Sequence, residues 1–290
     1  MILQSQSSAI INDFNQAFNT SKRKVRNYTL AILGGIFAVI AIVLGILAYM
    51  LDNIVFLVFL LGAFIALAFI VVMVILIYTP SMPTYAILYP RLIKLLNMER
   101  DEPLRHDHQT GNTYKNINRQ SGLFNRGASV RVRQAITGKS DTGIPFHRVD
   151  ATMTVSTGQS ASTVFDGVLI HLEQTLNKPF YVAYKGKFHL KGLKTDRLDG
   201  PDGIRIFVGP AGYDKRIIDQ AVSLVQRLSQ GHGTPHVYLS STDAGLFLGY
   251  RYPIRRMRQV DHDTIKSTLS LLKRDLDLVE GLNMRPEAFL

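Results

Sequence analysis

Two apolar runs near the start of the chain decide the fold. The first is YTLAILGGIFAVIAIVLGILAYM, from Tyr28 to Met50, and the second is IVFLVFLLGAFIALAFIVVMVILIY, from Ile54 to Tyr78. They contain 23 and 25 residues without a charge. Each is longer than the roughly 20 residues that a helix needs to cross a bilayer core. Because only three residues separate the runs, we predict an antiparallel transmembrane hairpin over 28–78, with spans at 28–50 and 54–78.

The charges beside the hairpin predict its orientation. Basic residues crowd the stretch from Lys22 to Arg26, Arg91 and Lys94 follow the second run, and the linking turn carries only Asp52. By the positive-inside rule, both termini and the main domain lie in the cytoplasm and the turn lies outside. A cleavable signal peptide is the competing interpretation of the first run. It is disfavoured because the run is too long, begins too late and is followed directly by a second run.

Six small residues in the first run fall into two sets spaced by seven. They are Ala31, Gly34, Ala38, Ala41, Gly45 and Ala48. Small side chains let helix backbones approach closely in lipid. Two interpretations stay open: the stripe packs against the second run of the same hairpin, or it forms a helix-packing face for a second protomer or another membrane protein.

The segments on either side of the hairpin are predicted to be helical in part. Residues 1–27 form a cytoplasmic segment in which an amphipathic helix precedes the basic stretch. The helical spacing is carried by Ile10, Ile11, Phe14 and Phe18. This helix either lies on the inner leaflet or docks on the cytoplasmic domain. Residues 79–126 form a juxtamembrane helix, kinked at Pro90, and a linker with an exposed polar loop over 99–112.

Residues 127–290 are predicted to form a cytoplasmic domain of mixed α+β class. Alternating or β-prone apolar stretches predict strands over 130–135, 146–155, 164–172, 180–190, 204–208, 236–240 and 245–252. Apolar residues at helical spacing predict helices over 213–229 and 261–281. The stretch 194–203 is predicted to be a loop, and Gly167 to mark a β-bulge. The strands and helices are segregated rather than alternating, which favours α+β over a parallel βαβ array.

Two short motifs and their order resemble a known family. The motifs are Ser121-Gly122-Leu123-Phe124 and Val164-Phe165-Asp166-Gly167-Val168-Leu169-Ile170. With the apolar hairpin before them and a helix, a strand hairpin and a final helix after them, residues 28–282 resemble the bacterial family called domain of unknown function 3137. The resemblance implies a two-span protein of the bacterial inner membrane whose cytoplasmic domain carries a phenylalanine–any–glycine strand motif. It also implies a LemA-like membrane protein as a neighbour, but no activity and no catalytic residue.

The sequence shows no recognisable catalytic or metal-binding pattern. The chain has no cysteine, which excludes disulfides, thiolate metal sites and a cysteine nucleophile. Four of its eight histidines fall into two clusters, at 106–108 and at His232 and His236, and neither cluster has the number of ligands that a zinc site needs. The phosphate-binding glycine loop and the Gly-x-Ser-x-Gly pattern are absent from the sequence. We therefore expect no metal and no cofactor, and we favour a non-enzymatic role.

Positive charge is the remaining feature. Residues 91–290 carry 29 Lys and Arg against 20 Asp and Glu. Cations interleave with aromatic residues in two stretches, whose basic members are Lys178, Lys185, Lys187, Lys191 and Lys194, and Arg251, Arg255, Arg256 and Arg258. Lys185, Lys187 and Lys191 are predicted to share one side of a sheet edge. Such surfaces bind single-stranded nucleic acid or anionic lipid. Tethering beside an anionic leaflet favours lipid headgroups over nucleic acid, and a merely solvated strand face is the alternative.

Together these features predict a membrane-anchored scaffold or interaction module. Its expected partners are the lipid bilayer and either its own copies, in a homo-oligomer, or another membrane protein. A membrane-bound hydrolase with an unrecognised site is one alternative, and a deep pocket lined by Asp150, Asp166, His147 and His171 would favour it. A binder of anionic lipid or nucleic acid is the other, and a continuous basic groove facing away from the membrane would favour it.

Overall fold

A computed structural model describes most of the chain from residue 83 onward and a minority of residues before it. The described residues are 8–9, 11–17, 19–20, 23–24, 27–28, 31, 34–35, 38, 40, 42–43, 45–46, 62 and 69, then 83–107, 111–156, 158, 160–176, 178–186, 188, 194–231, 236–252 and 262–282. The chain forms two compact units, residues 1–88 with 256–265 and residues 89–255 with 266–290.

In the first unit, every described residue between 8 and 69 is helical. The helix predicted before the basic stretch is confirmed over 11–17, where Phe14 is buried. The predicted spans at 28–50 and 54–78 fall largely outside the described residues. Among the residues that the structure does describe, no helix combines the length and the apolar character needed to cross a membrane.

Within the described part of the second unit, nine strands form one antiparallel sheet. The strands are β1 (Arg105–His106), β2 (Ser129–Lys139), β3 (Pro145–Ser156), β4 (Ala161–Leu172), β5 (Phe180–Tyr184), β6 (Asp196–Leu198), β7 (Ile204–Val208), β8 (Val237–Thr242) and β9 (Gly245–Arg251). Their order across the sheet is β1-β2-β3-β4-β9-β8-β5-β7-β6. Every neighbouring pair is antiparallel. The late β8–β9 hairpin therefore lies in the middle of the sheet and joins β4 to β5.

Helices lie against both faces of the sheet. Those with described bounds are α1 (Pro83–Leu96), α2 (Gly111–Ser121), α3 (Lys215–Gly231) and α4 (His262–Gly281), and a 3-10 turn, Asn97–Glu99, follows α1. Successive side chains of a strand point to opposite faces, so the two faces have separate sets of residues. We call them the α2 face and the α4 face after the helices that cover them. The fold class is thus α+β, as the segregation of strands and helices in the sequence predicts.

The α2 face holds a compact apolar core. Tyr114 and Ile117 of α2 are buried in one cluster with Val149, Leu169 and Phe247 of the sheet. The two motifs that carry the family resemblance meet in this cluster. The rings of Phe124 and Phe165 lie with their centroids 4.3 Å apart. Burying several large side chains in this way supplies most of the driving force for folding, at about 1.5–3 kcal/mol for each fully buried side chain.

The α4 face is covered by α3 and α4, and Tyr89 of α1 reaches it through a hydrogen bond to Asp150. Leu272 and Leu276 of α4 are buried, and α4 is tied to β3 by a buried ion pair between Asp275 and Arg148. The helix α3 covers β5 and β8. Its amphipathic pattern buries Ala221, Leu224 and Val225 while charged residues stay on the other side. The sheet therefore buries both faces, which explains the long apolar stretches in β4, β8 and β9.

Gly167 allows β4 and β9 to approach closely. A Cβ atom at this position would lie 2.1 Å from the carbonyl oxygen of Tyr250 and 2.9 Å from the Cα of Arg251. The pairing of Gly167 with Ala151 is regular, and the register shift in β4 lies near Thr163, opposite Met153 and Thr154. The predicted bulge at Gly167 is therefore wrong. The glycine of the phenylalanine–any–glycine motif is required by strand packing instead.

Most predicted elements of the sheet domain are confirmed, but the helix α2 (Gly111–Ser121) lies in a predicted linker, and β2 continues four residues beyond its predicted end at 135. The helix ending at Leu96 and the predicted helices that became α3 and α4 are present, and so are β2, β3, β4, β7 and the β8–β9 hairpin. The predicted exposed loop over 99–112 contains β1 and the first residues of α2, and the predicted loop over 194–203 contains β6. The strand predicted over 180–190 ends at Tyr184, because Lys185 adopts a left-handed conformation with φ of 51°.

Candidate functional site

The most buried polar group of residues lies on the α4 face. Arg148 of β3 donates from Nε and Nη2 to Asp275 of α4, at 2.9 and 2.8 Å, and from Nη1 to Asp150 at 2.8 Å. Tyr89 of α1 donates its hydroxyl to Asp150 at 2.9 Å. Tyr250 of β9 donates its hydroxyl to Asp275. We call these five residues the Arg148 cluster, and it joins α1, β3, β9 and α4.

Burial and charge balance make the Arg148 cluster a structural tie. The side chains of Arg148, Asp150 and Asp275 are only 2, 4 and 1% exposed. Burial lowers the pKa of Arg148, but the carboxylates of Asp150 and Asp275 outweigh it and hold that pKa well above its usual value. Burial, followed by the neighbouring carboxylate, raises the pKa of both tyrosine hydroxyls well above the ordinary value. Both tyrosines therefore remain protonated donors, and the arginine remains charged.

The sheet separates the four residues that would favour an enzyme. Asp150 and Asp166 lie on the α4 face, whereas His147 and His171 are a cross-strand pair on the α2 face. Asp150 belongs to the Arg148 cluster, and Asp166 pairs with Arg133 at 2.6 Å. The pocket that would favour a hydrolase therefore does not form from these residues.

The two histidines form a stack with one aromatic residue. The rings of His147 and His171 lie 5.8 Å apart, and His171 stacks on Phe247 at 4.4 Å. The Nε2 of His171 lies 2.9 Å from the carbonyl oxygen of Ala244, and His147 lies 3.4 Å from Glu173. Burial lowers the pKa of His171. At neutral pH this ring is therefore held neutral, as a packing element that also donates one hydrogen bond.

The predicted histidine clusters do not build a metal site in the described residues. No group of three or more His, Asp or Glu side chains there is close enough to hold a metal ion. The Nε2 of His106 instead lies 2.7 Å from Oε1 of Gln134, and Tyr114 donates to Asp107. His108 and His232 lie outside the described residues.

The predicted basic residues are spread over separate places. Five of them, Lys187, Lys191, Arg255, Arg256 and Arg258, lie outside the described residues. Lys178 lines a cavity of about 330 Å³ beside α3. Arg251 donates to the carbonyl oxygen of Val164 at 3.0 Å. Lys185 does not lie on a sheet edge, because it follows the end of β5 and β5 pairs with both β7 and β8. The common face predicted for Lys185, Lys187 and Lys191 stays a prediction, since Lys187 and Lys191 lie outside the described residues.

Lys194, the remaining described member of the predicted set, lines a cleft with two arginines. The cleft has a volume of about 430 Å³ and lies beside β5, β8 and the end of α2. Arg119, Arg126 and Lys194 are its cations, Asp243 is its carboxylate, and Tyr181 is its aromatic residue. We call it the Lys194 cleft. Its volume is in the range of small-molecule sites.

The end of α2 is fixed beside the sheet by side-chain hydrogen bonds. Ser240 of β8 donates to the carbonyl oxygen of Ser121 at 2.7 Å, and Ser121 donates to the carbonyl oxygen of Asn118 at 2.8 Å. Gly122 follows in the left-handed conformation with φ of 65°. A Cβ at Gly122 would lie 2.8 Å from the Tyr181 ring. The motif that begins at Ser121 therefore terminates α2 and brings the helix end against Tyr181.

The cations of the Lys194 cleft are not neutralised by described carboxylates. No ion pair among the described residues includes Arg119, Arg126 or Lys194. Within the described part of the chain, Arg119 donates only to the carbonyl oxygen of Arg126, at 3.4 Å. Burial raises the pKa of Tyr181, which keeps its hydroxyl protonated. The cleft thus presents three cations and a phenol hydroxyl to a ligand.

Sequence reasoning identified Lys194 but missed Arg119 and Arg126. These two arginines lie in a predicted linker, about 70 residues from Lys194 in the sequence. The two arginines come close to Lys194 because α2 packs against β8, and no periodic pattern in the sequence predicts that packing. The glycine after Ser121 is the only local feature that indicates a helix end there.

The small-residue stripe lies in the first unit. Ala31, Gly34, Ala38 and Gly45 are described, helical and exposed. Ala41 and Ala48 lie outside the described residues. The packing role predicted for the stripe stays a prediction.

Comparisons with known proteins give no relative. No family model, no curated protein and no solved structure matches the chain.

Proposed function

We propose that the chain is a membrane-anchored interaction module rather than an enzyme. The apolar runs at 28–50 and 54–78 anchor it in a bacterial inner membrane, and the α+β domain lies on the cytoplasmic side. The domain binds a protein partner, a second copy of the chain, or both, and its cations face anionic groups. The resemblance to the family of unknown function stays part of this proposal.

One observation carries the anchoring. Ile42, Val43, Ile46 and Phe69 are helical, and their exposed fractions are 64, 47, 57 and 66%. Large apolar side chains that are exposed close together in the sequence, as Ile42, Val43 and Ile46 are, are typical of an interaction with lipid or protein. Ile42, Val43 and Ile46 lie in the uncharged run of 23 residues, and Phe69 lies in the uncharged run of 25 residues. Insertion into the hydrocarbon core of a membrane would bury the exposed apolar side chains and would account for the long uncharged runs.

A second observation favours binding over catalysis. The acids and histidines that could have formed a reactive pocket are placed on opposite faces, and Asp150 is neutralised inside the Arg148 cluster. Asp150 is therefore sealed inside the protein, whereas Arg119, Arg126 and Lys194 are exposed cations without an ion pair to a described carboxylate. Exposed cations beside an anionic leaflet are each attracted by about 1 kcal/mol. This supports an association of the domain with anionic surfaces.

The test uses the absence of cysteine from the chain. Asn53→Cys places a thiol in the turn between the predicted spans, and Asp202→Cys places one in an exposed turn of the sheet domain. We expect a membrane-impermeant maleimide to label Asn53→Cys in intact cells and to label Asp202→Cys only after lysis. The parent chain is the blank for both variants.

Two results would contradict the proposal. Recovery of the full chain in the soluble fraction would contradict the proposed membrane anchor. Labelling of Asp202→Cys in intact cells would contradict the proposed cytoplasmic position of the sheet domain. The same preparation, extracted in mild detergent, reports self-association. A protein mass above the 32.5 kDa of one chain supports it, after the detergent contribution is subtracted.

A further inference from the structure

We propose that the Lys194 cleft binds a phosphate ester of a small polyol. The cleft combines Arg119, Arg126 and Lys194 with the Tyr181 hydroxyl and one carboxylate, Asp243, around about 430 Å³. This site goes beyond the proposed anchoring and interaction role, because it would exist whether or not the chain spans a membrane.

The phosphate part of the ligand is indicated by the cations. Arginine presents a planar fork of donors that matches phosphate oxygens, and lysine adds a point charge. Elsewhere in the described domain, Arg100, Arg133 and Arg148 each lie within 4.0 Å of a carboxylate. Arg119, Arg126 and Lys194 form no ion pair with a described carboxylate. Other exposed arginines such as Arg205 and Arg227 share this property, but Arg119, Arg126 and Lys194 line one cleft together. An incoming anion would supply the missing countercharge.

The polyol part is indicated by the remaining polar groups. Asp243 lines the same cleft as the cations, where it would repel a bare anion but accept hydrogen bonds from ligand hydroxyls. Thr195 and Thr242 add hydroxyls that can donate or accept. A ligand with a phosphate at one end and free hydroxyls at the other would pair its phosphate with the cations and donate hydrogen bonds from its hydroxyls to Asp243.

The base of the cleft is preorganised. Tyr181 is only 4% exposed, and its hydroxyl makes no hydrogen bond to any described residue. Its ring lies against Gly122, where a Cβ would come within 2.8 Å. The hydrogen bond from Ser240 to Ser121 fixes the helix end that carries Arg119. Donors held in place before binding lose little conformational entropy when the ligand arrives.

Such a ligand has two sources that share one chemistry. Glycerol phosphate is a free, metabolite-sized monoester, and phosphatidylglycerol carries glycerol phosphate in its headgroup as a diester. The probes are therefore sn-glycerol 3-phosphate with the full chain in uncharged detergent, and nanodiscs with or without phosphatidylglycerol in phosphatidylcholine. Inorganic phosphate is the probe for charge alone.

Single substitutions test the site by calorimetry. Arg119→Gln, Arg126→Gln and Lys194→Gln each remove one charge from the cleft, and we expect each to weaken binding about tenfold. Lys178→Gln is the matched control, because it removes one exposed positive charge from the separate cavity beside α3. We expect this control to leave the affinity unchanged. Thermal unfolding of each variant checks the fold, and Lys194→Gln tests the cleft without any change in α2.

The possible outcomes distinguish a free ligand from a lipid headgroup, and each of these from failure of the proposal. Binding of the soluble ester that the cleft variants lose supports a free ligand. Cleft-dependent binding to phosphatidylglycerol nanodiscs without binding of the soluble ester supports the headgroup. No binding in either arm overturns the proposal, and so does an equal loss in Lys178→Gln. Equal affinity for inorganic phosphate and for the ester would overturn the assignment of a polyol. None of these results depends on the orientation of the chain in a membrane.

Discussion

The Arg148 cluster and the Lys194 cleft use the same kinds of side chain in opposite ways. In the cluster, each charge of Arg148, Asp150 and Asp275 faces an opposite charge at hydrogen-bond distance, and water is excluded. In the cleft, Arg119, Arg126 and Lys194 are exposed and form no ion pair with described residues. The difference lies in which charges are already neutralised by the protein.

This contrast determines what each region can do. A buried and fully paired ion network ties elements together and specifies one arrangement, but its groups have no capacity left for a ligand. An open group of like charges adds little to stability, and it keeps its donors for something that arrives from outside. Charge composition alone would not have separated the two regions, because burial and pairing make the difference.

The largest expected effect comes from removing one partner of the Arg148 cluster. Asp275→Asn keeps the shape of the side chain but leaves Arg148 with only Asp150 as a countercharge, and Tyr250 loses a charged acceptor. Breaking a buried pair in this way destabilises proteins by about 3–5 kcal/mol. We expect a loss of that size in the free energy of unfolding, measured by denaturant titration of the full chain in detergent.

Two controls define the comparison. Asp166→Asn breaks the ion pair with Arg133. Because the side chain of Asp166 is 45% exposed, we expect the free energy of unfolding to fall by about 1 kcal/mol or less. Arg126→Gln removes an unpaired cation from the Lys194 cleft, and we expect a change within about 0.5 kcal/mol. A similar loss in all three variants would contradict the division into a sealed cluster and an open cleft.

A second substitution tests the strand contact that supports the sealed cluster from the sheet side. Gly167→Ala would place a Cβ 2.1 Å from the backbone oxygen of Tyr250. Because the obstacle is backbone, β4 and β9 must separate, and overpacking of this kind costs about 1–3 kcal/mol. Gly281→Ala is the control. Its Cβ would meet nothing within 4 Å at the end of α4, so we expect it to be neutral or to stabilise by up to about 1 kcal/mol. Equal unfolding free energies for the two variants would show that β4 and β9 can move apart at Gly167 without loss of stability.

The sequence predicts most of this sheet domain because its strands and helices carry strong patterns. Apolar β-prone residues mark β4, β8 and β9, and helical spacing marks α3 and α4. β1 and β6 have only two and three residues, and most of those residues are exposed and polar, so no pattern of burial marks them. The early end of β5 was missed because the left-handed turn falls on Lys185, a residue type that gives no warning of it.

The two polar sites escape prediction for a different reason. Arg148 and Asp275 are 127 residues apart, and Arg119 is about as far from Asp243. Both sites depend on the order of strands, which places β9 against β4 and β8 against β5. Local periodicity shows which residues face inward, but it carries no information about which strand lies beside which.

The smallest expected effect is a pH dependence near the open cleft. Ala244 lines the Lys194 cleft, and its carbonyl oxygen lies 2.9 Å from Nε2 of His171. Burial, with a smaller contribution from His147, lowers the pKa of His171, while the bond to Ala244 and the charge of Glu173 oppose this. A histidine whose pKa is lower in the folded state gives stability that is complete above its unfolded pKa of about 6.5 and declines as the pH falls below it. Over that range we expect the midpoint of thermal unfolding to fall, and His171→Gln to remove this part of the pH dependence. The midpoint is measured at about pH 7 and about pH 5 for the parent chain and for His171→Gln. If the difference between the two pH values is the same in both proteins, the pH dependence belongs to other groups.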